Sequence, residues 1–230
     1  MGHHSQEELV WLTAGGVTLE GNLTLPQGTG AVVLFAHGSG SSRHSPRNRH
    51  VARLLNDARL GTLLIDLLTA QEEVMDQRTA ALRFDIGLLA GRLVGATDWL
   101  SRLEETRGLR IGYFGASTGA AAALVAAAER TGVVQAVVSR GGRPDLAGSA
   151  LADVEAPTLL IVGGSDLDVI QLNQTALAQL HCEKNLAIVP HATHLFEEPG
   201  ALDAVARLAC DWFGRYFTYG EESGTPRRGR

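Results

Sequence analysis

The sequence predicts an α/β fold built on a mostly parallel sheet with helices on both faces. Three observations predict it. Short, apolar, β-branched runs bounded by glycine recur along the chain; stretches of helical spacing separate them; and after one opening hairpin the two kinds alternate strictly. The 230 residues, 45% hydrophobic and 20% charged, are enough to bury a substantial core without disulfide staples.

The elements follow in order. Residues 9–13 and 17–25 alternate apolar and polar like half-buried strands, and "AGG" at 14–16 turns them into a hairpin. "AVVLFA" at 31–36 is continuous apolar sequence between glycines, as a strand buried on both faces requires. Helical spacing over 51–58 implies a helix starting near Ser45-Pro46, where proline suits the first turn. Residues 62–65 read as a buried strand ending at Asp66. Residues 79–105 read as one long amphipathic helix, with Gly87, Gly91 and Gly95 as places where it could break. A strand at 109–114 leads into a helix at 117–130, whose alanines from 120 to 128 suit close packing on the sheet. Strands at 133–138, 158–162 and 185–189 then alternate with a helix at 169–180, and a helix at 201–217 closes the pattern. No internal repeat or linker divides it, so one domain over 1–217 is expected. The polar tail 218–230 is expected to be disordered.

Composition narrows the function classes. A formal charge of −5 argues against general nucleic-acid affinity. No apolar run is as long as a membrane span, and the first residues lack a charged region leading into an apolar one, so neither membrane insertion nor secretion is expected. Cys182 and Cys210 are too few for a disulfide framework, which fits cytoplasmic residence. The paired His3 and His4 are set apart from the site.

Chemistry enters at "GASTG". Gly115-Ala116-Ser117-Thr118-Gly119 places a serine between glycines where a strand turns sharply into a helix. Such a turn presents the serine at the carboxyl edge of the sheet, beside N–H groups that favour negative charge. The blander alternative is a tight turn with Ser117 as helix cap. Two partners favour the nucleophile. "IVGGSDLDV" puts Asp166 just past a buried strand, and "VPHATHLF" puts His194 just past the last one, both on the edge that carries Ser117. A serine needs a base, and the base needs an orienting acid; the order Ser, Asp, His suits that set. Asp168 and His191 are the alternatives, Asp168 reading better as a helix cap and His191 as a loop residue. The oxyanion that forms on a substrate carbonyl would meet the N–H of Thr118 and an N–H near Ser39 in "LFAHGSGSSR". That loop lacks the Gly-Lys-Ser/Thr ending of a nucleotide-binding P-loop, and His37 reads as its support. No metal-binding set stands out, and the chemistry calls for no metal or cofactor.

The motifs "AHGSG", "GASTG", "IVGGSDLDV" and "HATHLF" resemble those of the α/β-hydrolases, and within them the dienelactone-hydrolase-like group, over about residues 17–217. The resemblance implies an eight-stranded sheet with an antiparallel second strand, Ser117 as nucleophile, Asp166 as acid and His194 as base. The chain carries serine where dienelactone hydrolases proper carry cysteine. Similar domains occur fused or adjacent to phosphoribosyltransferases in bacteria. The stretch between Ser139 and Pro157 is too short for a helical cap, so an open site is expected. Arg43, Arg140 and Arg143 fall near the opening and could bind an anionic substrate; ion pairs with Asp145 or other local acids are the alternative. The resulting expectation is a serine hydrolase for small esters or lactones. A thioesterase or peptidase, or a regulatory hydrolase-like module serving a partner such as a phosphoribosyltransferase, fits the same parts.

Overall fold

The opening hairpin sets one edge of the sheet. Strands β1 (Glu7–Ala14) and β2 (Val17–Thr24) pair antiparallel from Glu7↔Thr24 to Ala14↔Val17. Only Gly15 and Gly16 lie between them, both at positive φ (56° and 79°), the conformation a two-residue hairpin turn demands. The structure, a computed structural model, describes residues 6–218. His3, His4 and the expected disordered tail from 219 onward lie outside the described residues.

Six further strands complete the sheet: β3 (Ala31–Ala36), β4 (Gly61–Ile65), β5 (Arg110–Ala116), β6 (Val134–Arg140), β7 (Thr158–Gly163) and β8 (Lys184–Val189). Their order is β1-β2-β4-β3-β5-β6-β7-β8, and β2 runs antiparallel to both its neighbours. From β4 across to β8 every pairing is parallel, so the strand ends that carry the candidate site share one edge. All six residues of β3 are buried, with Val32, Leu34 and Ala36 facing one core cluster and Ala31, Val33 and Phe35 the other. A strand covered on both faces has no polar side, which is why its sequence shows no alternation.

Helices α1 (Pro46–Asp57) and α6 (Ala201–Thr218) cover one face. Helices α3 (Ile86–Arg102), α4 (Thr118–Glu129) and α5 (Leu167–Gln179) cover the other. Ser45 caps α1 by accepting from the Asn48 N–H at 3.4 Å, with Pro46 in the first turn as its sequence implied.

The expected helix over 79–105 is corrected. The chain forms α2 (Ala70–Thr79), a 3₁₀ turn at Leu82–Phe84 and then α3. The break falls at Ala80, in a left-handed conformation, ahead of all three glycines. Buried Asp76 causes it: its carboxylate accepts from the N–H groups of Leu82 and Arg83 (2.7 and 3.1 Å) and from Arg83 Nε (2.5 Å). At the other end Thr69 and Glu72 close a capping box. Glu72 also accepts from buried Arg92 at 2.7 Å, while Arg92 donates to the Ala14 carbonyl at 2.7 Å. One guanidinium thereby ties the hairpin, α2 and α3 together.

Gly95 lies inside an unbroken α3 because the hairpin needs the space; a Cβ there would meet Ala14 Cβ at 2.5 Å. Between β6 and β7 the chain makes only 3₁₀ turns at Pro144–Asp153, kinked at Gly148, and among the described residues no cap domain covers the site edge. Among the described residues no helix is long and apolar enough to cross a membrane.

Two glycines of α3 separate packing from propensity. Gly95→Ala should destabilise the chain by about 1–3 kcal/mol, the usual cost of overpacking. Gly91→Ala, with nothing near its added Cβ, should stabilise it by about 0.5–1 kcal/mol. Urea unfolding midpoints of the two variants should therefore move in opposite directions. Asp76 generates a pH test. Burial pushes its carboxyl up, but the hydrogen bonds from Arg83 and Leu82 outweigh that and hold it below the ordinary 3.8. A depressed carboxyl stabilises the fold fully above its unfolded value and loses that effect as pH falls through the native value. Asp76→Asn should be clearly less stable than the parent near neutrality, and the gap should close in acid below about pH 3.8.

Candidate active site

Ser117 closes β5 and opens α4 with φ 50° and ψ −123°, a conformation that side chains rarely adopt. It occupies the cap position yet makes no capping hydrogen bond. A serine serving only as a cap would accept from the first turn of its helix, so the capping alternative is not what the geometry shows. The turn is held by backbone: Ser117 N–H donates to Arg140 C=O at 3.4 Å, and Arg143 N–H donates to Ser117 C=O at 3.1 Å. The flanking glycines are required by close approach. A Cβ on Gly115 would strike the Ala120 backbone, and one on Gly119 the carbonyls of Ala36 and His37.

The structure brings Asp166 and His194 together. His194 Nδ1 lies 2.7 Å from Asp166 Oδ2. The loops that carry them are joined by Ser165 N–H to Ala192 C=O (2.9 Å) and Gly164 N–H to Val189 C=O (2.8 Å). Phe196 is buried and anchors the histidine loop in the core. The alternatives fall away: His191 is exposed at positive φ, and Asp168 is an exposed residue of the first turn of α5, with Asp166 before it in the cap position. Ser117 and His194 line a common cavity of about 70 Å³. Their side chains share no hydrogen bond with each other, the His194 ring being held through Nδ1 by Asp166.

Of the two expected oxyanion donors, the structure corrects one. Ser39 N–H donates to Thr118 Oγ1 at 3.0 Å, so it is committed within the protein and fixes the loop after β3 onto α4. Thr118 N–H lies at the first position of α4, where a helix offers it no intrahelical acceptor. His37 supports the loop as its sequence suggested: Nδ1 lies 2.9 Å from Gly38 C=O, and Nε2 accepts the Leu67 N–H at 3.0 Å. That pair of contacts defines a neutral ring protonated on Nδ1. Burial pushes its pKa down, against smaller upward effects from the Gly38 carbonyl, Asp66 and Glu73.

The three arginines separate. Arg43 is corrected: its guanidinium is taken by Asp66, by Glu20 at 2.6 Å and by Asn22 at 3.0 Å. It lines a wider cleft of about 1070 Å³ between the loop, the hairpin and α2. Arg143 is corrected too, forming a two-pronged pair with Asp145 at 2.9 and 2.8 Å. Both follow the alternative of local ion pairing. Arg140 alone of the three lines the Ser117 cavity. It is 6% exposed, donates to Asn48 Oδ1 at 3.0 Å and lies over the Phe196 ring at 5.9 Å. Burial, with a smaller push from Arg47, lowers its pKa to about 10, which leaves it charged at neutrality. Asn48 carried no sequence signal, being one polar residue in a polar first turn; Arg47 was one of several arginines after the loop.

With this geometry established, comparison with known proteins gives a consistent result. The model of the dienelactone hydrolase family matches residues 66–219. The crystal structure of a dienelactone hydrolase from Anabaena variabilis is 66% identical, with a TM-score of 0.92 over 93% of this chain and 99% of that one. An α/β serine hydrolase without a lid from Xanthomonas campestris shares the fold at 20% identity, with a TM-score of 0.72 over 92% of this chain and 95% of the other. A protein of Mycobacterium tuberculosis provisionally named a phosphoribosyl transferase is 58% identical over 208 residues, 90% of this chain. The chain spans only 46% of that relative's length.

His37 yields a pH prediction. Its native pKa lies below the ordinary 6.5, so in that window the unfolded chain binds the proton first, and stability rises with pH. The neutral ring's contribution should be full above about 6.5 and decline as pH falls toward the lowered native value. Chemical unfolding followed from about pH 7 to about pH 5 should show this slope in the parent and a shallower one in His37→Gln.

Proposed function

The chain belongs to the dienelactone hydrolase family, and from that premise we propose that it is a serine hydrolase cleaving carboxylic esters or lactones of small substrates. Ser117 is the nucleophile, His194 the general base and Asp166 the acid that holds it. The observation that carries this reading is the strained, uncapped Ser117 sharing a cavity with His194, whose Nδ1 is fixed by Asp166.

His194 Nε2 takes the hydroxyl proton as Oγ bonds to the carbonyl carbon, and the carbonyl π electrons move onto oxygen. Thr118 N–H, at the positive end of α4, stabilises that oxyanion. The C–O bond to the alcohol then breaks as the imidazolium returns the proton to the leaving oxygen, forming an acyl-enzyme. Water repeats the sequence and releases the acid. Asp166 keeps the imidazole in the tautomer whose Nε2 can accept, and offsets the positive charge that forms. With no cap over the edge, small substrates reach Ser117 from solvent. The two cysteines are free and suit a reducing compartment, so cytoplasmic residence belongs to the proposal.

The mycobacterial relative's name favours a second reading, in which this hydrolase-like module serves a phosphoribosyl transferase partner. A folded chain that turns over no ester in a broad panel, yet binds such a partner, would support that reading over the first.

A fluorophosphonate probe should label the parent chain and fail to label Ser117→Ala; labelling that persists would overturn the nucleophile. Asp166→Asn should keep the fold while lowering kcat on an ester by about 10³–10⁴-fold, as expected when the base loses its tautomer control.

A further inference from the structure

We propose that Gly141, Gly142 and Arg143, the residues that follow β6, form a positioning junction that sets Ser117 against His194, and that buried Asn173 of α5 is the positioning residue that locks it. The role rests on the reading of Ser117 as nucleophile and His194 as base. The two side chains line one cavity but share no hydrogen bond. Their separation is therefore set by the backbone segments that carry them, and those segments meet at this junction.

Each residue of the junction holds a different partner. Arg143 N–H donates to the Ser117 carbonyl at 3.1 Å. Gly141 lies against the histidine loop: a Cβ there would meet the His194 carbonyl at 3.1 Å and the ring Cε1 at 3.8 Å. Gly141 also has φ 50°, in the left-handed region, so packing and backbone both exclude a side chain. Its N–H donates to Ile161 C=O at 2.8 Å, which ties the segment to β7, the strand that leads to Asp166. Gly142 supplies the third contact. Its carbonyl accepts from Asn173 Nδ2 at 3.0 Å, and Asn173 belongs to the helix that opens at Asp166.

Asn173 suits a lock better than a packing residue. It is 0% exposed, where an apolar side chain would fill the core with no polar group to satisfy. Nδ2 also donates to Val169 C=O at 2.8 Å in its own helix, so the amide is pinned at two points. Oδ1 is buried without a partner among the described residues, which costs stability. What the amide returns is geometry: it fixes the distance between α5 and the segment that grips Ser117. On its other side Gly142 is wedged against Ser139 and Ala120, where a Cβ would meet Ser139 Oγ at 2.0 Å and Ala120 Cβ at 2.6 Å. Held between α4 and α5, the segment has no room to slide.

The test reads chemistry and local order separately. Asn173→Ala frees the Gly142 carbonyl, and Gly141→Ala pushes on the histidine loop. Both should lose kcat on p-nitrophenyl acetate by about ten- to a hundredfold, with KM within about threefold and fluorophosphonate labelling slowed in parallel. Rates are taken per folded molecule, and Gly95→Ala, destabilised far from the site, should keep the parent's kcat. A merely structural role would make Asn173→Ala behave like Gly95→Ala, less stable but with kcat unchanged, and that result would overturn the proposal. Should Asn173→Ala fold poorly, Gly141→Ala and the milder Asn173→Ser decide by the same criterion. Amide hydrogen exchange followed by NMR gives an answer that needs no turnover. The Arg143 amide should exchange at least about tenfold faster in Asn173→Ser than in the parent, with the amides of β3 unchanged. Unchanged Arg143 protection sinks the junction even if Ser117 is labelled. Faster exchange in a chain that neither cleaves esters nor takes the probe upholds the junction and counts against the nucleophile alone.

Discussion

The structure depends on one steric constraint: three backbone segments meet at Ser117 with no room for side chains between them. The end of β5 must approach the start of α4, and α4 must approach the strand end at Ala36 and His37. Glycine at 115 and 119 permits both contacts, and the serine between them absorbs the strain in a positive φ. Strain of this kind persists only where surrounding structure over-determines it. Here the β6 carbonyl of Arg140, the Arg143 amide and the Ser39–Thr118 bond hold the turn and the loop beside it. The same bonds orient the proposed nucleophile and place the Thr118 amide beside it, so local strain and site geometry share one cause.

Much of this was legible in the sequence because it is set by local rules. Glycine spacing marks the elbow and the hairpin, apolar runs mark the buried strands, and parallel pairing alone carries Asp166 and His194 to the serine's edge. The failures have a different physics. Helix α2 buries little apolar surface, with Val74 and Met75 exposed, so it has no hydrophobic period to detect; its readable mark was the Thr69–Glu72 capping box. The break at Ala80 follows from the grip of Asp76 on residues 82 and 83, a contact that periodicity does not encode. The Ser39 N–H expected to face an oxyanion is instead taken within the fold, because the buried hydroxyl of Thr118 accepts it.

The arginines make the same point through electrostatics. In the sequence Arg43, Arg140 and Arg143 are equivalent, each a cation after a strand on the site edge. Folding separates them by the acids it delivers. Arg43 meets Asp66, just past the end of β4, and Glu20, within β2, while Arg143 meets Asp145 two residues on. Arg140 points into the face shared by α1 and α6, where its contacts are an amide and an aromatic ring. A paired arginine is a clamp, whereas an unpaired buried one is a standing electrostatic demand.

Where a cap domain covers an active site, its inner surface can supply the walls that recognise substrate. Here the segment after β6 forms only 3₁₀ turns, so the walls of the Ser117 cavity come from strand ends, the loops that follow them and the first turn of α1. Few positions there are both rigid and close to Ser117. Arg140 qualifies because β6 pairs beside β5 with Arg140 opposite Ala116, the residue before the serine. A side chain fixed by that register keeps its distance from Ser117 as closely as the sheet keeps its spacing.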